Sequence, residues 1–219
     1  MVILVGGQKG GTGKSTLSIC LAAYLAQHGH EVILVDANSD QGTAANWAAR
    51  RDTVDGVNAV VCVEKSGNIH KSILALAEKY EYTIVDTGGQ DSKELRTALP
   101  AADILITPVR PSQADLETLV HVADLVDQAR DMNPDLSARV VITNAPANPK
   151  IQLLEEAKEA LAGLQSIGLL KSVVYMRKSY MDALSSGLGV TEQTKDKKSA
   201  MEIAALAKEL GIKRKIAKK

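Results

Sequence analysis

Short apolar runs alternate with amphipathic stretches along nearly the whole chain. A short apolar run bounded by polar residues or glycine is typical of a buried strand, whereas apolar residues spaced three and four apart indicate a helix. Strands that alternate with helices favour an α/β fold with a doubly wound, mostly parallel sheet flanked by helices and joined by right-handed crossovers. The predicted strands span residues 2–5, 32–35, 57–63, 82–85, 104–107, 139–143 and 169–175, and the predicted helices span 14–27, 42–51, 69–80, 92–99, 116–129, 149–164 and 198–210.

A glycine-rich turn joins the first predicted strand to the first predicted helix. It reads Gly7-Gln8-Lys9-Gly10-Gly11-Thr12-Gly13-Lys14-Ser15-Thr16. Such a turn points a row of backbone N–H groups inward, at the positive end of a helix dipole, and this nest suits a phosphate chain. Lys14 supplies a point charge for the outer phosphates, and the Ser15 hydroxyl is placed to ligate Mg²⁺. The expected ATP-binding residues in this turn are Lys9, Gly10, Gly11, Thr12, Gly13, Lys14, Ser15 and Thr16.

The turn departs from the standard G-x-x-x-x-G-K-[ST] pattern because Gln8 stands where the first glycine is expected. Residues 9–15 read K-G-G-x-G-K-[ST], which resembles the deviant Walker A box of the ParA/MinD family of partition and positioning ATPases. The resemblance implies a P-loop NTPase fold, ATP and Mg²⁺ as ligands, and a homodimer that forms on ATP binding. In that dimer Lys9 would reach the nucleotide of the other subunit. A glycine-rich turn that binds nothing is the alternative.

A second box follows the strand 32–35 and begins with Asp36. Ligands of an open parallel sheet lie outside the carboxyl ends of its strands, so Asp36 is expected beside the phosphate loop. Residues 36–44 resemble the family's D-x-D box, but Asn38 stands where the family has its second aspartate, which positions or activates the attacking water. An amide orients water but cannot accept its proton. Either Asp36 or Asp40 therefore takes over the charge, or hydrolysis is slow and acts as a timer.

The expected catalytic residues are thus Lys9, Lys14, Asp36, Asn38 and Asp40. Capping of the helix that begins near Gly42 is the alternative role of Asp40.

Two further strand ends carry candidate ligands. Asp86 follows the strand 82–85 in the Walker B arrangement, in which a carboxylate holds Mg²⁺, so Ser15 and Asp86 are the expected metal site. A backbone N–H of the following Gly89 can approach the γ-phosphate. After the strand 139–143, Asn144 is expected to hydrogen-bond the adenine edge or else to form an ordinary turn.

Composition bounds the size and the surroundings of the protein. The chain has 219 residues, 45% of them hydrophobic, which is enough for a single domain with a two-sided core; we expect this domain at residues 1–212 and a basic tail at 213–219. Cys20 and Cys62 lie far apart in apolar patterns, which favours reduced thiols and a cytoplasmic protein. No signal peptide precedes the first strand, and no apolar run approaches the roughly 20 residues that span a bilayer, so no stable membrane anchor is expected.

Charge is unevenly spread although the formal total is zero. Residues 195–219 contain nine Lys and Arg against three Asp and Glu. Contact with a polyanion is therefore expected near this end of the chain, through phosphates rather than bases. A solvated basic tail is the alternative. The candidate DNA contacts are Arg177, Lys178, Lys213, Arg214 and Lys215.

The late segment also resembles the family. It reads R-x-x-Y-x-x-A from Arg177 and G-x-x-V-x-E from Gly187. The resemblance implies an ATP-bound dimer that binds DNA without sequence preference, associates with the nucleoid and drives plasmid or chromosome partition. A ParB-like or small centromere-binding protein would stimulate its hydrolysis.

Two other functions stay open at this point. One is a MinD-like membrane-associated positioning ATPase, although the basic tail region offers only Ile212 and Ile216 as bulky apolar residues for an interfacial helix. The other is a metabolic P-loop kinase or synthetase, which the phosphate loop alone does not exclude.

Overall fold

The structure, a computed structural model, describes residues 1–38, 41–89, 92–148, 153–161, 166–193 and 196–212. Within these residues seven strands form one sheet in the order β3-β2-β4-β1-β5-β6-β7, and every neighbouring pair is parallel. The strands are β1 (Val2–Val5), β2 (Val32–Ala37), β3 (Val61–Glu64), β4 (Tyr82–Thr87), β5 (Ile104–Val109), β6 (Ser137–Ala145) and β7 (Gly168–Tyr175).

Helices cover both faces of this sheet. They are α1 (Lys14–Gln27), α2 (Thr43–Arg51), α3 (His70–Ala77), α4 (Lys93–Ala98), α5 (Gln113–Leu116), α6 (Leu119–Arg130), α7 (Leu153–Leu161), α8 (Lys178–Ser185) and α9 (Lys197–Glu209), with 3-10 turns at Leu99–Ala101 and Val190–Glu192. One apolar layer lies between the sheet and α1, α2, α8 and α9, and a second lies between the sheet and α3, α4, α6 and α7. The doubly wound α/β fold predicted from the sequence is confirmed.

The strand register brings the predicted site residues to one edge. Asp86 pairs in register with Val5 on one side and with Asp36 on the other. Three consecutive strands of the sheet therefore end at the same level, and the phosphate loop and both aspartates leave from that level.

Two predicted elements differ from the observed ones, the first because of a tertiary contact and the second because of a local turn. The strand expected at 57–63 begins only at Val61, because Asn58 is tied to two helices: its carbonyl accepts a hydrogen bond from Arg51 Nε at 2.9 Å, and its amide donates to the Ala26 carbonyl. The helix expected at 116–129 is split into α5 and α6. The Asp115 carbonyl accepts from both the N–H and the hydroxyl of Thr118, at 3.2 and 2.6 Å, which closes the turn early.

Candidate nucleotide-binding site

The phosphate loop leaves β1 and enters α1 as the sequence predicts. Gly11 and Gly13 have left-handed backbone angles, with φ of 72° and 89°, which glycine adopts without strain. The Lys14 side chain is buried in the turn, and its Nζ donates a hydrogen bond to the Lys9 carbonyl at 2.8 Å. Burial lowers the pKa of Lys14, and the charge of Asp86 acts in the opposite direction. The helix dipole, the loop N–H groups and this ammonium together form an anion-binding nest.

The end of β6 holds the phosphate loop through two side-chain hydrogen bonds. The Thr143 hydroxyl donates to the Thr12 carbonyl at 2.7 Å, and the Asn144 amide donates to the Gly11 carbonyl at 3.3 Å. Asn144 has a φ of 51°, the only positive φ of a non-glycine among the described residues, and asparagine tolerates this region better than most side chains. Its amide therefore lies beside the phosphate loop, and contact with the adenine edge stays a prediction.

Asp86 is fully buried at the end of β4. The Ser18 hydroxyl donates to its Oδ1 at 3.2 Å, whereas Oδ2 has no hydrogen-bond partner among the described residues. Burial raises the pKa of Asp86 to about 7; the Ser15 hydroxyl lowers it, and the charge of Asp36 raises it further. An unpartnered buried carboxylate oxygen beside a serine hydroxyl is the hard-oxygen donor set that Mg²⁺ takes. The residues present therefore fit Mg²⁺, with Ser15 and Asp86 as the ones that would hold it.

Asp36 is buried at the end of β2 and faces its own loop. Its Oδ1 accepts from the Asn38 N–H at 3.0 Å, and its Oδ2 accepts from the Ala45 N–H at 2.9 Å. With both oxygens bonded to backbone N–H groups, this carboxylate fixes the loop between β2 and α2. The described contacts of Asp36 hold this loop, and its expected catalytic role stays a prediction. Asp40, the other candidate carboxylate of this loop, lies outside the described residues.

A cavity of about 180 Å³ opens between the phosphate loop, the loop after β2 and the loop after β4. Asn38 joins the loop after β2 to the loop after β4. Its Nδ2 donates to Gln41 Oε1 in its own loop at 3.2 Å, and its Oδ1 lies against Gly88 in the loop after β4. Gly89 packs on the phosphate loop so closely that a Cβ there would lie 3.1 Å from the Gly10 nitrogen. The lining residues are Gly10, Gly11, Gly13, Lys14, Ser15, Thr16, Asn38, Gln41, Thr43 and Gly89.

A second cavity, of about 170 Å³, shares Gly13 and Thr16 with the first. Asn144 and Tyr180 are among its other lining residues, together with Met176 after β7. The two cavities therefore adjoin at the start of α1, and together they offer a polar nest and a more apolar compartment beside it.

Lys9 behaves differently from Lys14. Its side chain is exposed, and its ammonium has no hydrogen-bond or ion-pair partner among the described residues. Only its backbone carbonyl takes part in the nest, as the acceptor for Lys14 Nζ.

A buried ion pair joins α2 to the 3-10 turn after α8. Arg51 Nη1 and Nη2 donate to the two carboxylate oxygens of Glu192 at 2.8 and 2.6 Å, and Nη1 also donates to the Gly187 carbonyl at 3.1 Å. The guanidinium carbon lies 5.1 Å from the centre of the Trp47 ring. Sequence reasoning missed Arg51 because its partner lies 141 residues away along the chain. The one available signal is that Arg51 continues the buried helical face of Ala44, Trp47 and Ala48.

The predicted DNA contacts fall into two kinds. Arg177 is engaged within the protein: its Nε donates to Glu202 Oε1 at 2.6 Å, and its guanidinium lies over the Tyr175 ring. Lys178 is exposed and lies 3.8 Å from Asp182, which makes only a loose ion pair. The remaining candidates, Lys213, Arg214 and Lys215, lie outside the described residues.

No helix within the described residues is both long enough and apolar enough to cross a membrane.

The parallel sheet, the glycine-rich loop and the strand-terminal aspartate together define a P-loop nucleotide-binding protein. Residues 3–190 match the family described as the CobQ/CobB/MinD/ParA nucleotide binding domain. The chain therefore belongs to this family, which confirms the resemblance predicted from its motifs, and it is an ATPase of the ParA/MinD type.

Individual relatives agree with this assignment. The chain is 32% identical over 195 residues to Maintenance of carboxysome distribution protein A of Gloeobacter kilaueensis, covering 87% of this chain and 84% of the relative. It is 25% identical over 200 residues to the chromosome partitioning protein ParA of Myxococcus xanthus, covering 72% of this chain and 70% of the relative. Among solved structures, an ATP complex of Cyanothece McdA has a TM-score of 0.76 at 16% identity, covering 98% of each chain, and shows that the fold is shared.

Proposed function

We propose that the protein is an ATP-dependent switch, in which two copies close face to face on ATP and Mg²⁺ and hydrolysis reopens them. The observation that carries this proposal is the contrast between two lysines of the phosphate loop. Lys14 is buried and bonded inside the nest, whereas Lys9, next to the lining residue Gly10, is exposed and has no partner among the described residues. The Lys9 ammonium lies beside the triphosphate site and has no described partner in its own subunit. A cation in this position is suited to contact the nucleotide of a second subunit.

Each part of the cavity has a role in this switch. Lys14 and the loop N–H groups bind the outer phosphates, and Ser15 and Asp86 hold Mg²⁺, which neutralises phosphate charge when bound. Gly89 touches the backbone of Gly10, so the loop after β4 is in position to respond to the γ-phosphate. Asn144 and the adjoining cavity take the adenine base.

The ATP-bound dimer binds DNA through phosphates, without sequence preference. The exposed lysines near α8 and α9 support this assignment, whereas Arg177 is already paired with Glu202. Contacts of this kind depend strongly on salt, because each one releases counterions from the DNA. In the described part of the chain the contributing residues are Lys178, Lys197 and Lys198, and the tail residues Lys213, Arg214 and Lys215 complete the set.

The cargo that this switch moves is a plasmid or a chromosome, with a ParB-like or small centromere-binding protein as the activator and a nucleoid-associated, cytoplasmic location. The Myxococcus xanthus relative, a chromosome partitioning protein, supports this choice. A second candidate cargo is a large protein assembly, because the Gloeobacter kilaueensis relative is named for carboxysome distribution. Both candidates use the same nucleotide-dependent dimer.

The dimer is tested by sedimentation with ADP, ATP and a non-hydrolysable analogue. We expect the parent to sediment as a monomer with ADP and as a dimer with either triphosphate. Lys9→Ala should still bind ATP but stay monomeric, and the surface control Lys178→Ala should dimerise like the parent. A parent that stays monomeric with every nucleotide, or a Lys9→Ala variant that dimerises fully, contradicts the proposal.

The DNA scaffold is tested on the same protein with arbitrary duplex DNA and with anionic vesicles. The ATP-bound parent should be retained on DNA and released as salt is raised, and Lys178→Glu should weaken that retention. Flotation with vesicles in place of DNA retention would favour a MinD-like membrane role. Turnover that requires a small co-substrate would favour a metabolic kinase or synthetase.

A further inference from the structure

β3 forms an open edge of the sheet, because β2 is its only neighbour among the described strands. The Lys65 N–H donates to the Asp36 carbonyl at 3.0 Å, so residues 61, 63 and 65 point their backbone groups toward β2. The N–H and C=O groups of Cys62 and Glu64 therefore point outward. They have no hydrogen-bond partner within the described residues, and they can pair with one further strand.

A groove of about 420 Å³ lies between this edge and α2. Much of its wall consists of small side chains, those of Ala45, Ala48, Ala49 and Ala59. Asp52 and Glu64 are the charged side chains of its described lining; both are exposed, and neither has a partner elsewhere in the described chain. The groove therefore has an apolar wall and carries two unpaired negative charges.

The opposite face of β3 also has uncovered apolar surface. Cys62 packs against the apolar layer beside α2 and Val63 against the layer beside α3, so the alternation of the strand places Val61 on the α3 side. Val61 is 47% exposed. A side chain on an added strand would cover it, as cross-strand neighbours do within a sheet.

Charge distinguishes between two kinds of added strand. Antiparallel pairing of β3 with β3 of a second copy would bring the carboxylates of both copies into one groove, and the described lining supplies no cation to neutralise them. An extended segment with lysine or arginine on the face toward α2 would instead pair with Asp52 and Glu64. The observed charges therefore favour a basic partner segment over a second copy.

We propose that the β3 edge binds an extended segment of a partner protein by strand addition, with basic side chains toward Asp52 and Glu64 and small ones over the alanines. The outward backbone groups of Cys62 and Glu64 supply the main-chain hydrogen bonds, and the two carboxylates supply the preference for cations. The groove shares no lining residue with the nucleotide cavity, so this site goes beyond the proposed switch and does not depend on it.

Strand addition is tested with the capped peptide Thr-Lys-Val-Ala-Val-Lys-Thr, which in an extended chain presents both lysines and the alanine on one face. We expect saturable binding to the full-length parent, with the N–H groups of Cys62 and Glu64 becoming protected from hydrogen exchange as measured by NMR. The N–H groups of Val61 and Val63 already face β2 and should change little. Absence of saturable binding, or binding that leaves the Cys62 and Glu64 N–H groups unprotected, overturns the proposal.

The same peptide with glutamate in place of both lysines is the matched control for charge. Its apolar pattern is unchanged, and we expect it to bind about tenfold more weakly, because two favourable exposed pairs become two repulsive ones. Equal affinity for the two peptides would contradict the assignment of a basic segment.

Cys62→Pro tests the backbone contacts. Proline removes the outward Cys62 N–H and places its ring where an added strand would approach, whereas the bonds to β2 come from the N–H groups of residues 61, 63 and 65. We expect the lysine peptide to bind about tenfold more weakly, with the N–H groups of Val61 and Val63 still protected. Parental affinity in this variant overturns strand addition.

Asp52→Asn and Glu64→Gln test the same groove without any change to the backbone. Each should weaken binding of the lysine peptide about threefold at low salt, and the loss should shrink as salt is raised. Asp55→Asn removes an exposed carboxylate that does not line the groove, and it should match the parent. Parental affinity in both groove variants would show that these carboxylates do not select the partner.

Sedimentation of the parent without peptide or nucleotide tests the second copy as the occupant. We expect a monomer at every concentration. Association that rises with concentration and is abolished by Cys62→Pro would assign the β3 edge to a second copy and overturn the proposal. These measurements use no ATP, so a parent that fails to dimerise on ATP refutes the proposed switch and leaves the β3 edge unaffected.

Discussion

At the scale of single residues, Gly88 and Gly89 in the loop after β4 have different packing roles. A Cβ at Gly89 would meet backbone atoms, the Gly10 nitrogen at 3.1 Å and the Gln8 oxygen at 3.4 Å, so neither loop can yield without moving its main chain. A Cβ at Gly88 would meet only the tip of Asn38. Gly89 therefore permits close packing of two loops, and Gly88 makes room for the Asn38 side chain.

This difference predicts unequal losses of ATP affinity for two alanine substitutions. Gly89→Ala should push the phosphate loop out of shape, and since overpacking costs about 1–3 kcal/mol we expect ATP to bind roughly tenfold more weakly. Gly88→Ala would meet only the Asn38 side chain, which can shift without moving a main chain, so ATP affinity should stay within about twofold of the parent. Calorimetry measures the ATP affinity of both variants. Equal effects of both substitutions on affinity would contradict this division.

How much of the site the sequence could predict depends on how local each contact is. Lys14 and Ser15 act within a ten-residue turn, and Asp86 follows an apolar strand, so their places followed from local pattern alone. The loop contacts of Asp36 did not follow, because its oxygens bond to the N–H groups of Asn38 and Ala45, and only the folded loop shows that. The hydrogen bond from Asn144 to Gly11 likewise joins positions 133 residues apart.

At the scale of elements, α2 is held at both ends. Asp36 fixes its first turn through the Ala45 N–H, and Arg51 fixes its last turn through the bidentate pair with Glu192. This helix follows the loop that carries Asn38 and Gln41, so Glu192 supports the nucleotide site although it lines neither of the two cavities. Gly187 belongs to the same contact, since a Cβ there would lie 2.8 Å from the Arg51 nitrogen.

The Arg51–Glu192 pair predicts that substitution of a residue far from the nucleotide cavity causes a large loss of stability. Glu192→Ala leaves the Arg51 guanidinium buried without its carboxylate, and removal of one partner of a buried pair costs about 3–5 kcal/mol. Urea unfolding measures the loss. The exposed pair of Lys158 and Glu155 is the matched control, and Lys158→Ala should cost about 0.5 kcal/mol or less. If Glu192→Ala lost only about 0.5 kcal/mol of unfolding free energy, the Arg51–Glu192 pair would not be what holds α2.

Element boundaries were predictable where the local pattern decides them. The bounds of β1 and α1 agree with the expected residues 2–5 and 14–27, because a buried strand, a glycine turn and a helix buried over residues 17–26 leave little choice. The late start of β3 and the break between α5 and α6 were missed. The first depends on contacts of Asn58 with two helices, and the second depends on the bond of the Thr118 hydroxyl to the Asp115 carbonyl in the same turn. Hydrophobic spacing records neither.

At the scale of the whole molecule, the sheet has two edges, and α9 covers the one at β7. Glu202 accepts from the Tyr175 N–H at 3.2 Å, and Glu209 accepts from the N–H groups of Lys171 and Ser172 at 2.7 and 2.9 Å. Two carboxylates, two turns apart on one helix, thus occupy backbone donors that an edge strand would otherwise present to another chain. The other edge, β3, spans only four residues.

This edge contact predicts a pH dependence of stability. Partial burial alone would raise the pKa of Glu209, but hydrogen bonds from the Ser172 hydroxyl and from the N–H groups of Lys171 and Ser172 lower it below its ordinary value. A carboxyl group whose pKa is lowered in the folded state stabilises the fold above its unfolded pKa, about 4.3, and loses that contribution as pH falls through the folded value.

Glu209→Gln should therefore have a lower urea midpoint than the parent at pH 7, and the difference should shrink as pH falls below about 4. Glu159→Gln, the same change at an exposed position on α7, is the control and should follow the parent at every pH. A gap between Glu209→Gln and the parent that stays constant from pH 7 to pH 3 would show that the charge of Glu209 contributes nothing to holding α9 on β7.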